Sequence, residues 1–223
     1  MKNASIFDLD GTLVDTPRAI VETFTAAFAT LGVASREPAA IRATIGLPLE
    51  KAFSHLLGVP VDDAQVSQGV KQYQVLFKEI VLPRAEGLVF PGVVQGLASL
   101  RSEGITLAVA TSKFYASADA LLKAAGIREP FSMVLGADQV TRPKPHPEMG
   151  QRIMRELGVS SEHAVMVGDT THDLQMARAA GMRSVAVTYG VHSVRELQAS
   201  EPTWMADTFD DVLQCLRTGL PRN

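Results

Sequence analysis

The chain has little cysteine, few aromatic residues and no excess of positive charge. Its 223 residues include one cysteine, Cys215, which cannot form an internal disulfide. A single cysteine favours a reducing compartment, and we expect the cytoplasm. The 21 basic residues are outnumbered by 24 acidic ones. No cationic surplus therefore attracts a phosphate backbone, and we expect no nucleic-acid partner.

Long hydrophobic runs are also missing. No stretch reaches the roughly 18 uninterrupted apolar residues that a membrane-spanning helix needs. Asp8 interrupts the region in which a signal peptide would carry its apolar run. With 46% hydrophobic and 20% charged residues, the chain is too apolar to be a disordered segment. These features predict a globular protein with one sizeable core and no membrane partner.

Short apolar runs alternate with helical patterns along most of the chain. The runs lie at residues 4–9, 105–110, 132–135, 164–167 and 184–187, and each precedes a polar or glycine-containing turn. Such runs are typical of strands buried on both faces of a parallel sheet. Helical patterns cover residues 94–103, 117–125, 148–157, 174–180 and 210–216. We therefore expect an α/β fold, with a Rossmann-like three-layer core and a mostly parallel sheet.

Residues 16–88 interrupt this alternation. The segment has no strand pattern, and apolar residues such as Ile20, Phe24 and Ala27 recur at helical spacing. Its length of about 70 residues is typical of a small domain. We predict an all-α cap domain at 16–88, inserted into an α/β core domain formed by residues 1–15 and 89–223.

Polar residues gather where the predicted strands end. Ligands of open parallel sheets bind beyond the carboxyl ends of the strands. The candidates at those ends are Asp8, Asp10, Thr12, Thr111, Ser112, Arg142, Lys144, Asp169 and Asp173. Carboxylates brought this close repel one another unless a cation neutralises them. Hard oxygen ligands favour Mg²⁺ over zinc, so Mg²⁺ is the expected cofactor.

Four of these groups resemble the motifs of a known family. The run DLDGTLVD at residues 8–15 resembles the first motif of the haloacid dehalogenase superfamily, and Thr111-Ser112 resembles the second. Lys144, among prolines, resembles the third motif, and Gly168-Asp169 with Asp173 resembles the fourth. All four occur in order, each after a predicted strand. The helical segment stands where the C1 caps of that superfamily stand.

The resemblance implies a Mg²⁺-dependent phosphatase that acts through an aspartyl-phosphate. Asp8 would be the nucleophile, and Asp10 would protonate the leaving oxygen and later deprotonate water. Lys144 would balance negative charge on Asp8 and on the phosphoryl group. Thr111 and Ser112 would bind the phosphate. The metal ligands would be Asp8, Asp10 (through its backbone carbonyl) and Asp169. Asp173 and Thr12 would lie outside these metal ligands and support them.

Differences from the motifs of particular branches indicate which branch of the superfamily this sequence resembles. Haloacid dehalogenases proper and phosphonatases lack a second aspartate, which is present here as Asp10. The cap-hinge histidine of β-phosphoglucomutase has no counterpart, since Ile20 stands there. The run Gly46-Leu47-Pro48-Leu49 resembles the cap loop of phosphoglycolate phosphatases and related pyrophosphatases. Alternatively, Gly46 and Pro48 only break a cap helix.

The expected substrate is a small phosphorylated metabolite such as phosphoglycolate. An anionic substrate of this size needs a cation from the cap, for which the sequence offers Arg18, Arg42 and Lys51. The sequence does not choose among them, and it leaves the roles of Lys51 and His172 open. It is also compatible with either a monomer or a homodimer.

Other functions remain as alternatives. Within the superfamily these are a pyrophosphatase, a sugar-phosphate phosphatase and a β-phosphoglucomutase-like enzyme. Receiver-type signalling domains also carry aspartate, threonine and lysine at a sheet edge, but they lack a helical insert. A non-catalytic binding protein on this scaffold would be expected to lose Asp8, Asp10 or Lys144, and all three are present.

Overall fold

The computed structural model describes residues 2–221 and contains a six-stranded sheet in which all neighbouring strands run parallel. The strands are β1 (Ala4–Phe7), β2 (Thr106–Ala110), β3 (Met133–Leu135), β4 (Ala164–Gly168), β5 (Arg183–Val187) and β6 (Trp204–Ala206). Their order across the sheet is β3-β2-β1-β4-β5-β6. The central strand β1 therefore pairs with β2 on one side and with β4 on the other, with Phe7 opposite Val109 and Val167.

Helices cover both faces of this sheet. The helices are α1 (Pro17–Thr30), α2 (Pro38–Arg42), α3 (Leu49–Leu57), α4 (Ala64–Ile80), α5 (Val93–Ser102), α6 (Tyr115–Ala124), α7 (Glu148–Leu157), α8 (Thr171–Ala179), α9 (Val194–Ala199) and α10 (Phe209–Gly219). Side chains of α5, α6 and α10 pack on one face, and those of α7 and α8 pack on the other. Alternate strand residues point to opposite faces, so Ile6 and Phe7 belong to different clusters.

The expected α/β fold with its three-layer core is confirmed. The five predicted strands are present, but β1 ends at Phe7 rather than at Leu9. The reason is a tight turn, in which the amides of Leu13 and Val14 donate to the carbonyl of Leu9 at 3.0 and 3.1 Å. The sequence analysis did not predict β6 or α9, because three-residue and six-residue elements are too short for a periodic pattern.

Helices α1 to α4 follow β1 and precede the rest of the sheet. Their shared core contains the buried aromatic side chains Phe24, Phe28, Phe53, Tyr73 and Phe77. Ring centroids in this cluster lie 4.7 to 6.2 Å apart, within the range of favourable aromatic pairs. Gly69 admits the Phe53 ring, since a Cβ there would lie 2.6 Å from it. Aromatic packing therefore holds this segment, here called the helical insert, together.

Two strand-like connections join the helical insert to the sheet. Val14 and Val89 form an antiparallel bridge. The amide of Asp15 donates to the carbonyl of Leu88 at 2.7 Å, and the amide of Phe90 donates to the carbonyl of Leu13 at 3.1 Å. The two connections therefore pair with each other through residues 13–15 and 88–90. No helix among residues 2–221 combines the length and apolar character needed to cross a membrane.

Candidate active site

Three neighbouring strands bring the predicted site residues to one edge of the sheet. Asp8 follows β1, Thr111 follows β2, and Asp169 follows β4. Because these strands are parallel and adjacent, their carboxyl ends lie side by side. All three side chains are buried, as are those of Lys144 and Asp173. The structure therefore brings together residues that are up to 165 positions apart, as Asp8 and Asp173 are.

Lys144 lies at the centre of the site. Its Nζ donates to Asp8 Oδ1 at 2.7 Å, to Asp173 Oδ1 at 2.6 Å and to the carbonyl of Ala110 at 3.0 Å. Its side chain is only 1% exposed. Burial alone would lower the pKa of Lys144, but the charges of Asp173 and Asp8 outweigh it and raise the pKa above its usual range. The lysine is therefore a fixed positive charge with all three donors used.

The carboxylates outnumber this lysine. Oxygen atoms of Asp8, Asp169 and Asp173 lie within 4.8 Å of one another. Burial raises the pKa of Asp8 to about 7, an effect opposed by Lys144 and reinforced by Asp173 and Asp10. Burial, followed by the charges of Asp8 and Asp173, also raises the pKa of Asp169 well above its usual value. A cation bound here would relieve this repulsion, and the hard oxygen donors fit Mg²⁺.

Asp169 is oriented by its surroundings. Its Oδ1 accepts a hydrogen bond from Thr12 Oγ1 at 3.0 Å, and its Oδ2 accepts one from the amide of Val191 at 2.8 Å. Two glycines make room for the carboxylate, because a Cβ at Gly11 or at Gly190 would lie 2.2 Å from an Asp169 atom. Gly11 also has a φ of +85°, which favours glycine. The loop after β5 was not predicted to contribute to the site.

Asp173 makes hydrogen bonds both at the start of α8 and in the site. At the start of α8, its Oδ2 accepts hydrogen bonds from the amide of Thr170 at 3.1 Å and from its Oγ1 at 2.7 Å. This arrangement is half of a capping box, which satisfies amides at a helix N-terminus. Its other oxygen accepts from Lys144. The structure thus places Asp173 in direct contact with the lysine.

Asp10 lies beside this cluster and faces the helical insert. Its Oδ1 accepts a hydrogen bond from Thr16 Oγ1 at 2.6 Å, and its Oδ2 pairs with Lys113 Nζ at 3.1 Å. The same Nζ lies 4.4 Å from the ring centroid of Phe77. The sequence analysis did not single out Lys113. The signal in the sequence that could have pointed to Lys113 is its position directly after Thr111-Ser112.

Thr111 and Ser112 directly follow the end of β2. Thr111 Oγ1 accepts a hydrogen bond from the amide of Lys113 at 3.2 Å. Ser112 Oγ is buried and has no hydrogen-bond partner among residues 2–221. Since buried hydroxyls are normally satisfied, this one is available to a ligand in the adjoining cavity.

The cap candidates are the loop residues Gly46, Leu47 and Pro48 and the cations Arg18, Arg42 and Lys51. The structure brings Gly46 and Leu47 to the cavity beside Asp8 and Asp10. Pro48 precedes α3 as its N-cap residue. Arg18 is 94% exposed and pairs with Glu22, while Arg42 donates to the carbonyl of Gly190 at 3.2 Å. Lys51 is exposed on α3. None of these three cations lines the cavity as described for residues 2–221.

His172 lies under the same insert loop. A Cβ at Gly46 would lie 3.3 Å from His172 Nδ1, an atom that is buried and has no hydrogen-bond partner within residues 2–221. Burial lowers the pKa of His172. The neutral ring therefore forms part of the contact between the helical insert and α8.

Known proteins resemble this chain over nearly its full length. A family model described as haloacid dehalogenase-like hydrolase matches residues 5–187. A protein named probable phosphatase IndB, from Dickeya dadantii, is 57% identical over 213 residues, which cover 96% of this chain and 93% of that protein. A phosphoglycolate phosphatase from Salmonella typhi is 32% identical, with 97% of this chain and 92% of that protein covered.

A solved structure agrees with these sequence matches. It is a hydrolase of the haloacid dehalogenase-like family from Streptococcus pneumoniae, 30% identical to this chain. The TM-score is 0.80, and the match covers 96% of this chain and 97% of the other. The similarity thus extends to the whole fold, including the helical insert.

Proposed function

The chain belongs to the haloacid dehalogenase-like hydrolase family and is a phosphatase, and we propose that it hydrolyses phosphate monoesters through a covalent aspartyl-phosphate on Asp8. The family assignment confirms the resemblance inferred from the four motifs. The observation that carries the proposal is the buried Asp8 carboxylate, held at 2.7 Å by Lys144 beside Asp169 and Asp173. This geometry fixes one oxygen of Asp8 and leaves the other for attack.

In the first step, the free carboxylate oxygen of Asp8 attacks phosphorus in line with the ester oxygen. The bond from Asp8 to phosphorus forms as the ester bond breaks, and Asp10 gives a proton to the departing alkoxide. Lys144 offsets the charge on Asp8 and on the phosphoryl oxygens. Thr111 and the backbone of Ser112 bind those oxygens.

In the second step, Asp10 takes a proton from a water molecule whose oxygen attacks the same phosphorus. The bond to Asp8 breaks, and inorganic phosphate leaves with the Asp8 carboxylate restored. One residue serves both proton transfers, so its placement matters. Thr16 and Lys113 each hold one of its carboxylate oxygens.

We propose that Asp8, Asp169 and the backbone carbonyl of Asp10 hold a Mg²⁺ ion, with Asp173 and Thr12 as outer supports. The ion would supply positive charge that neutralises the carboxylates and the phosphoryl group. The raised pKa values of Asp8 and Asp169 and the hard oxygen donors support this assignment. Removal of divalent ions should stop turnover, and added Mg²⁺ should restore it.

The helical insert supports a further part of the proposal. We propose that residues 16–88 form a cap domain that encloses the substrate, and that residues 1–15 and 89–223 form the core domain. Insert residues Leu47 and Tyr73 line the same cavity as Asp8 and Asp10. The substrate we propose is a small phosphorylated metabolite, and the compartment we propose is the reducing cytoplasm. One candidate substrate is 2-phosphoglycolate, because a relative is named phosphoglycolate phosphatase.

The test is to trap the intermediate. Enzyme in the act of turning over acetyl phosphate with Mg²⁺ is quenched and treated with borohydride, which reduces an acyl phosphate to an alcohol. Peptide mass spectrometry should then find homoserine in place of Asp8. Wild-type enzyme without substrate is the blank. Phosphate release without this product would contradict the covalent route.

The substitution Asp8→Asn is the companion experiment. The change is nearly isosteric but removes the nucleophile, so we expect phosphate release to fall by at least about a thousandfold while thermal stability is retained. The matched control is Asp62→Asn, the same change at an exposed position of the helical insert. Phosphate release close to the wild-type rate in Asp8→Asn would overturn the nucleophile assignment.

A further inference from the structure

The cavity between the helical insert and the sheet has a largely apolar lining. Its enclosed volume is about 60 Å³, and the space continues into open solvent. Its apolar lining residues are Ile20, Phe24, Ile45, Leu47, Leu49, Ala52, Tyr73 and Phe114. Asp8 and Asp10 lie at one end of the same cavity. A phosphate monoester bound at Asp8 therefore extends its leaving group toward this apolar wall.

The wall is built from the core of the helical insert. The rings of Phe24 and Tyr73 have centroids 4.7 Å apart, and Phe24 also contacts Phe53 at 4.8 Å. Phe24 and Tyr73 are 3% and 5% exposed, so each offers only an edge to the cavity. Burial and the nearby charge of Asp10 raise the pKa of Tyr73, which keeps its phenol neutral. The wall is thus uncharged and held in place by packing.

Positive charge in the cavity is confined to its catalytic end. Among the described residues that line it, Lys113 carries the one positive charge apart from the site around Lys144. Lys113 pairs with Asp10 at 3.1 Å and lies against Phe77. The carboxylate of a two-carbon acid such as glycolate would lie next to the ester oxygen. Such a substrate would leave most of the apolar wall without a partner.

We infer that the preferred substrate is a phosphate monoester whose alcohol presents an apolar or aromatic face, rather than a small carboxylic acid. This inference rests on the proposed function, because it assumes that the phosphoryl group binds at Asp8. Apolar contacts in an enzyme pocket contribute roughly tenfold or more in kcat/KM for each group the size of a methylene. An aromatic ring against this wall should therefore raise kcat/KM by at least about tenfold.

The experiment compares three monoesters with unactivated leaving alcohols. Benzyl phosphate offers an aromatic ring, ethyl phosphate offers neither ring nor charge, and 2-phosphoglycolate offers a carboxylate. We expect kcat/KM for benzyl phosphate to exceed that for ethyl phosphate by at least about tenfold, and 2-phosphoglycolate to lie below benzyl phosphate by as much or more. Equal or faster turnover of 2-phosphoglycolate would overturn the inference.

A variant tests whether the wall causes the preference. Leu47 is half-buried in the cavity lining, so Leu47→Arg places a cation there without filling the insert core. We expect this change to lower the ratio of kcat/KM for benzyl phosphate to that for 2-phosphoglycolate by at least about tenfold. Val75→Arg adds the same charge on the exposed face of α4 and should leave the ratio unchanged. An unchanged ratio in Leu47→Arg would contradict the inference.

A binding measurement separates the substrate class from the reaction. Asp8→Asn with Mg²⁺ is titrated calorimetrically with benzyl phosphate and with 2-phosphoglycolate, and the first should bind at least about tenfold tighter, or about 1.4 kcal/mol. Tighter binding of 2-phosphoglycolate would overturn the inference. If wild-type enzyme releases phosphate from none of the three monoesters, the proposed function fails, while this binding ratio still decides the substrate class.

Discussion

At the scale of single residues, the site depends on how few positive charges face many carboxylates. Lys144 is buried and uses its three donors on Asp8, Asp173 and the carbonyl of Ala110. Within residues 2–221, Asp169 has no lysine partner and accepts from a hydroxyl and an amide instead. Burial, reinforced by the neighbouring carboxylates, raises the pKa of Asp8 and of Asp169. This imbalance is the physical reason to expect a cation.

The raised pKa of Asp8 predicts how stability depends on pH. Because the pKa rises from 3.8 to about 7 on folding, the metal-free folded state holds more protons than the unfolded chain between these values. Stability of the metal-free protein should therefore fall as pH rises through this window. Mg²⁺ needs the carboxylates ionised, so its affinity should be at least about tenfold weaker at about pH 5.5 than at about pH 8.

The measurement is a series of thermal unfolding curves at increasing Mg²⁺ at both pH values. The Mg²⁺ concentration that gives half of the maximal stabilisation should decrease as pH rises. Asp62→Asn, which changes an exposed carboxylate outside the site, should follow the wild-type behaviour. Equal half-saturating concentrations at the two pH values would contradict the assignment of Asp8 and Asp169 as ligands.

Lys113 gives a second prediction at this scale. Its ammonium fixes Asp10 Oδ2, and it lies in the contact between sheet and insert. Lys113→Gln removes the charge but keeps most of the side-chain length, so Asp10 retains only Thr16 as a fixed partner. We expect kcat to fall by about ten- to a hundredfold, because misplacing a catalytic group by about 1 Å can cost a hundredfold.

The matched control is Lys123→Gln, which breaks an exposed ion pair with Asp119 on α6. That change should leave kcat within about twofold of wild type, because exposed ion pairs contribute little. Lys113→Arg, which keeps the positive charge, supplies the second readout and should restore most of kcat. An unchanged kcat in Lys113→Gln would show that Lys113 does not position Asp10.

At the scale of elements, the start of α8 combines helix capping with charge pairing. Asp173 caps the helix with one oxygen and contacts Lys144 with the other. Asp211 has the same capping position in α10, with Thr208 as its partner, but no lysine in the described part of the chain is bonded to it. A comparison of substitutions in the two helices therefore separates the stability contributed by the cap from that contributed by the buried ion pair.

We predict that Asp173→Ala destabilises the protein by at least about 3 kcal/mol. The cap contributes about 1 kcal/mol, and the buried ammonium of Lys144 loses one of its two carboxylate partners and keeps only Asp8. Asp211→Ala should cost only about 1 kcal/mol, because only the cap is lost. Urea unfolding curves measure both values. Similar losses in the two variants would mean that contact with Lys144 adds nothing to stability.

At the scale of the whole molecule, we expect the helical insert to move relative to the sheet. Only two connections join the parts, and they pair with each other at Val14 and Val89. Contacts between the insert and the sheet include a cation over Phe77, a hydrogen bond from Arg42 and the approach of Gly46 to Thr170. We expect hinges at residues 15–17 and 83–92.

We predict that Mg²⁺ together with a phosphate analogue such as vanadate closes the insert onto the sheet. Small-angle X-ray scattering should then report a smaller radius of gyration, and proteolysis at the hinges should slow. Asp8→Asn with the same additions controls for effects that do not require the nucleophile. Identical scattering and proteolysis with and without the additions would count against a moving cap.

The sequence alone determined the fold class and the reaction class. Strands β1 to β5 were predictable because buried parallel strands leave short apolar runs. Asp8, Thr111 and Asp169 directly follow β1, β2 and β4, whereas Lys144 lies nine residues beyond the end of β3. Boundaries were less certain where a turn intervenes, as at Leu9, and β6 and α9 were too short to leave a pattern. Asp8, Lys144 and Asp169 were predictable together because parallel strands end at one edge.

Only the tertiary structure decided what surrounds these residues. The sequence offered Arg18, Arg42 and Lys51 as cations for the substrate, and none of them lines the cavity within the described part of the chain. Lys113 lies there instead, since the end of β2 points it at Asp10 and Phe77. Helical spacing indicates which face of a helix is apolar, but not whether that face is covered by a neighbour or opens into a site. That choice depends on how the insert packs against the sheet.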